Sequence, residues 1–150
     1  MTPGLHAEQD PAKRAMLLTA LYVAQEQYGH LSPEAIKRVA ERIGMTEGEV
    51  VETATFYSMY HMQPVGRHLI QVCEGLSCHL AGGAEELLTY LQGKLRIKPG
   101  ETTADGEFTL VSVQCLASCG SSPAMRINDT LYENLTTDKV DMILQELRGG

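Results

Sequence analysis

Four cysteines dominate the chemistry available to this 150-residue chain. Cys73 and Cys78 are separated by four residues, Cys115 and Cys119 by three, and 36 residues lie between the pairs. Paired cysteines roughly two to four residues apart have the spacing of a tetrahedral structural zinc site. Four thiolates equally serve as the ligand set of an iron–sulfur cluster. Spacing alone leaves both open. A disulfide or a lone reactive thiol fits less well, because there is no C-x-x-C and Met1 to Asp10 lacks the basic and apolar regions of a secretion signal. A reducing, cytoplasmic setting is therefore expected, and cysteines there hold metals or do redox work more often than they crosslink.

The elements that must position these thiols follow from periodicity. His68 to Cys73 and Phe108 to Val113 are apolar, β-type runs, and each cysteine pair comes directly after one of them. Between them Ala84, Leu87, Leu88 and Leu91 recur at helical spacing, with Gly93 as the expected stop, followed by a polar crossover from Lys94 to Gly106. A strand, a helix and a strand joined in this way run the two strands parallel, so both cysteine loops leave the sheet at one edge and a Cys₄ cage is expected there. Ala124 to Ile127 and Leu131 to Tyr132 flank Asn128-Asp129-Thr130 as a hairpin, and Thr136 caps a last helix bearing Val140, Ile143, Leu144 and Leu147. His79 abuts Cys78 but is read as a non-ligand, since four cysteines complete the set. Gly75, Gly120 and the serines at 77, 118, 121 and 122 are read either as donors to sulfur through backbone and hydroxyl groups or as ordinary loop composition.

Ahead of this α/β region the pattern is helical. Residues 1–11 read as a disordered lead-in, and 12–66 as a three-helix bundle preceding a β-α-β-β-β-α domain over 67–150. The first helix runs from near Ala12 through Leu17, Leu21, Ala24 and Tyr28 to Gly29. Ser32-Pro33-Glu34 opens the second, which ends at Gly44, and the capping box Thr46-x-x-Glu49 opens the third, which carries Val50, Ala54 and Tyr57 to about Tyr60. Phe56 and Tyr57 at helical spacing are expected in the bundle core, with a partner contact as the alternative.

Composition narrows the function. With 43% apolar and 21% charged residues a packed core is expected, and the net charge of −7 is spread over both halves. Neither half offers a phosphate-attracting surface. Helices two and three imitate a helix-turn-helix, yet Glu47, Glu49 and Glu52 place negative charge where a recognition helix meets phosphate, which weighs against a transcription factor. No apolar run approaches the roughly 20 residues that cross a bilayer.

Val72-Cys73-Glu74-Gly75-Leu76-Ser77-Cys78 with Leu80-Ala81-Gly82, and Cys115-Leu116-Ala117-Ser118-Cys119 with Ser122-Pro123, resemble the thioredoxin-fold [2Fe-2S] ferredoxin family. The resemblance extends from about Arg14 to Leu147 and includes Ala54-Thr55-Phe56-Tyr57-Ser58, Lys98-Pro99-Gly100-Glu101-Thr102-Thr103 and Ile127-Asn128-Asp129. It implies an α/β thioredoxin-like domain in which Cys73, Cys78, Cys115 and Cys119 ligate one [2Fe-2S] cluster. It also implies one-electron transfer beside the FMN- and NADH-binding flavoprotein in the peripheral arm of NADH:quinone oxidoreductase (complex I), at the inner face of the cell membrane. On that reading the chain alone performs no catalysis. The equivalent diaphorase subunit of an NAD-linked hydrogenase or formate dehydrogenase is the alternative within the family, and a zinc-stabilised interaction module the alternative outside it. Ala117 and Gln114 depart from the family pattern, in which glycine and an acid are common at those places.

Overall fold

A computed structural model describes residues 11–150. The expected lead-in over 1–11 lies outside the described residues except for Pro11, which opens a short helix. The chain divides into a helical unit ending at Pro64 and an α/β unit over Val65–Gly150.

The helical unit contains α1 (Pro11–Ala15), α2 (Leu17–Tyr28), α3 (Pro33–Ile43) and α4 (Glu47–Phe56). The first expected helix is thus divided at Met16, whose φ of −85° and ψ of −4° leave the regular helical range. Leu17, Leu21 and Ala24 bury one face of α2 against Ile36, Val39, Ala40 and Ile43 of α3 and Val50 and Ala54 of α4. Ser32 Oγ accepts from the Ala35 N–H at 3.2 Å, and Thr46 and Glu49 cap α4 reciprocally. Glu49 is therefore committed to the capping box.

The third helix stops four residues earlier than its pattern implied. Tyr57 is extended, which frees Tyr60 to turn into the core, where its hydroxyl donates to the Leu18 carbonyl at 2.7 Å. Gln25 holds the same segment, donating from Nε2 to Met59 O and accepting the His61 N–H at 2.6 Å. Phe56 and Tyr57 contradict the core reading. Phe56 is 81% exposed because it lies two residues, or about 200°, round the helix from Ala54.

The α/β unit begins with β1 (His68–Cys73), followed by α5 (Leu76–Leu80), α6 (Ala84–Leu95), β2 (Phe108–Val113), β3 (Met125–Ile127), β4 (Thr130–Tyr132) and α7 (Thr137–Gly149). Strand order is β2-β1-β3-β4. β1 and β2 are parallel, registering His68 with Phe108 and Cys73 with Val113, while β3 is antiparallel to both β1 and β4. Leu87, Leu91 and Leu95 of α6 and Val140 and Leu144 of α7 share one core with Ile70, Val72, Phe108, Leu110, Met125 and Ile127. Asn128, with φ of +52°, turns the hairpin and locks it to β1 through the Leu69 N–H and the Arg67 carbonyl. His68 is buried against the Phe108 ring, 5.3 Å away, and neither of its ring nitrogens has a partner among the described residues.

Two expectations need correction. The loop after β1 contains α5, and α6 runs through Gly93 to Leu95 because Leu91 and Leu95 both belong on its buried face. The turn that ends α6 falls on Arg96, with φ of +56°.

Leu91→Ala should destabilise the chain by about 2–5 kcal/mol in denaturant unfolding, since it empties a fully buried site under the sheet. Asp141 of α7 accepts from Lys94 Nζ at 2.9 Å and from the Tyr90 hydroxyl at 2.7 Å, and these bonds, that of Lys94 foremost, hold its carboxyl below the usual range. Stability from a depressed acid is present above its unfolded value and lost as pH falls through its folded value. Asp141→Asn should therefore lower the unfolding midpoint at neutral pH, with the difference from wild type vanishing in acid.

Candidate metal centre

Parallel pairing of β1 with β2 sends both cysteine loops out at one edge of the sheet. Cys73 ends β1 and its register partner Val113 ends β2, so Cys115 follows only two residues beyond that level. The Glu74 N–H, donating to the Val113 carbonyl at 2.8 Å, keeps the two chains together one step past the strands.

Cys73 and Cys78 are brought together and buried, 3% and 2% exposed, beside Ala84 and Leu116. Cys78 is the buried residue of α5. Burial pushes the Cys73 thiol up, but the backbone N–H groups of Gly75 and Leu116 and the Cys78 thiol donate to its sulfur, and the net direction is below the ordinary cysteine value. Cys78 moves the other way. Burial raises it, as do the bond and charge of Cys73, against a bond from Ser122 and the Ala124 N–H. Cys78 Sγ lies 3.1 Å from Ser122 Oγ.

Cys115 and Cys119 are exposed on the loop after β2. The Ala117 N–H points at Cys115 Sγ, 3.2 Å away, in a turn where Ala117 has φ of +57°, and Cys119 begins a 3-10 turn through Ser121. Among the described residues no three His, Cys, Asp or Glu side chains stand close enough together to hold a metal ion. The structure therefore presents one buried pair and one exposed pair at a shared edge. His79 is exposed and lines a shallow cavity with Glu74 and Glu85.

The donor chemistry fits an iron–sulfur centre. Four sulfurs are the only soft ligands in these loops, and the Ala117 N–H at Cys115 Sγ and the Ser122 hydroxyl at Cys78 Sγ are donors of the kind that sulfur-bound clusters use. The backbone donor was invisible in sequence, since every residue except proline carries one. Of the serines expected to reach sulfur, Ser122 does so. Ser118 and Ser121 instead donate to the Glu133 carboxylate, a residue the motif reading did not single out.

Residues 5–148 match the family of thioredoxin-like [2Fe-2S] ferredoxins. The chain belongs to that family. Among curated relatives of this ferredoxin, an NADH-quinone oxidoreductase subunit of Rhizobium meliloti (strain 1021) is 40% identical over 96% of this chain and 85% of its own. NADH-quinone oxidoreductase subunit 2 of Thermus thermophilus is 42% identical over 92% of this chain and 76% of its own. The crystal structure of an NAD+-reducing [NiFe]-hydrogenase in the air-oxidized state shares the fold, with a TM-score of 0.75 at 23% identity over 87% of this chain and 23% of that one. The ferredoxin fold expected from the cysteine motifs is thus the observed one.

Gly75 lies against the start of the second cysteine loop. A Cβ there would fall 2.8 Å from the Gln114 carbonyl oxygen and 3.5 Å from Cys73 Sγ. Gly75→Ala should push the second loop outward and lower the iron and sulfide recovered per chain, with the far-ultraviolet circular dichroism unchanged. Full recovery of both would show that the loops need no such approach.

Proposed function

We propose that Cys73, Cys78, Cys115 and Cys119 ligate a single [2Fe-2S] cluster, and that the chain passes electrons one at a time as the ferredoxin subunit of an NADH-quinone oxidoreductase. The observation that carries this reading is the parallel pairing of β1 with β2, which sends the Cys73–Cys78 and Cys115–Cys119 loops out at one edge of the sheet. The cluster supplies reversible one-electron chemistry. The protein's part is ligation, desolvation and hydrogen bonding.

Two ferric ions, two sulfides and four thiolates carry about −2 in total, and one added electron makes that about −3. Burial of Cys73 and Cys78 disfavours the added charge, whereas the N–H groups of Gly75, Leu116 and Ala124 favour it. The balance between them sets the potential.

The electron donor is reduced FMN on an NADH-binding flavoprotein subunit, and the bond chemistry on NADH belongs to that partner. Among the described residues no helix is long and apolar enough to cross a membrane, in keeping with a place in a peripheral arm at the inner face of the membrane. The names of the relatives at about 40% identity favour this assembly over a hydrogenase or formate dehydrogenase.

Protein isolated without oxygen should contain about two irons and two acid-labile sulfides per chain and give a rhombic EPR signal on reduction. Cys→Ser at any of the four positions should abolish or strongly perturb that signal. One zinc per chain with no visible absorbance would instead support a zinc-stabilised module. The isolated chain should not oxidise NADH, as it carries no G-x-G-x-x-G fingerprint.

A further inference from the structure

Glu133 lies between β4 and α7, outside both cysteine motifs, yet its carboxylate accepts from the hydroxyls of Ser118 and Ser121. Those serines bracket Cys119. Ser118 is 7% exposed, its Oγ is 2.9 Å from that of Ser121, and the Ser121 N–H closes the turn on the Ser118 carbonyl. The two residues after Glu133 bind the same loop. The Asn134 N–H donates to the Ser121 carbonyl at 2.8 Å and the Leu135 N–H to the Pro123 carbonyl at 3.1 Å, while the Leu135 side chain is buried in the sheet core. Pro123 in turn packs on Gly83, where a Cβ would come within 2.1 Å of its ring.

We infer that Glu133 is a positioning residue for Cys119, holding the turn that presents this ligand and keeping the Ser118 and Ser121 hydroxyls away from the sulfurs. The segment Cys115–Ala117 is held differently, by the bond of the Ala117 N–H to Cys115 Sγ within the same turn. The Cys119 arm is thus clamped by Glu133 and tied to the core through Asn134 and Leu135. Because Glu133 also places a negative charge beside an anionic centre, its removal makes the added electron less costly.

The inference rests on the proposed cluster ligation, and three full-length variants isolated without oxygen separate the two. Glu133→Ala should release iron to a chelator about fivefold faster than wild type or more, the size expected when the net worth of one ordinary hydrogen bond is lost. Its midpoint potential should move to a more positive value. Glu133→Gln keeps an acceptor oxygen, so iron retention should return close to wild type while the potential remains raised. The double variant Ser118→Ala/Ser121→Ala keeps the charge and breaks the clamp, so iron should leave faster with no rise in potential. Should Glu133→Ala fail to fold, the double variant decides. Iron release within about twofold of wild type in the folded variants, or failure of Glu133→Gln to restore retention, overturns the inference alone. A wild-type chain without iron or sulfide overturns the ligation itself, and this inference with it.

Discussion

Two strands must lie parallel and in a definite register before anything else at this centre can follow. Cys73 stands opposite Val113, and from that level the chain leaves β1 and β2 in the same direction, so two loops 36 residues apart in sequence share one rim. An antiparallel pairing would send them to opposite ends of the sheet. The parallel arrangement depends on α6, whose Leu87, Leu91 and Leu95 bury the crossover against Ile70, Val72 and Leu110. Sulfur geometry is therefore a consequence of leucine packing some distance away.

On that rim the two cysteine pairs have different surroundings. Cys73 and Cys78 are enclosed beside Ala84 and Leu116, with the Ser122 hydroxyl 3.1 Å from Cys78 Sγ. Cys115 and Cys119 remain exposed, and their loop is tethered at its far end by Glu133, Asn134 and Leu135. A cysteine loop anchored to the core at one end and open at the other combines precise placement with access to its thiols. Membership of the thioredoxin-like [2Fe-2S] ferredoxins is consistent with this division.

The helical unit follows the same logic with different means. Its helices start where short polar side chains satisfy free N–H groups, at Ser32 and Thr46, and its core is sealed by a residue outside any helix, Tyr60, bonded to the Leu18 carbonyl. Turning Tyr60 inward shortens α4, and Phe56, on the far side of that helix from Ala54, faces solvent. Local propensity favoured a longer helix, and tertiary packing overrode it.

The amino-acid sequence determined which four thiols are available, the parallel strands, the hairpin at Asn128 and the helix starts, because cysteine spacing, period-two and period-3.6 apolar patterns and capping residues act over a few positions. Only the tertiary structure decided which serines face sulfur and which face Glu133, that α5 carries Cys78 under cover, that Gly93 lies within α6, and that one thiol pair is buried while the other is exposed. Those outcomes depend on groups brought together from distant positions, such as Ser118 with Glu133 or Leu116 with Cys73. They depend also on backbone N–H groups, which nearly every residue carries and which no side-chain pattern can reveal.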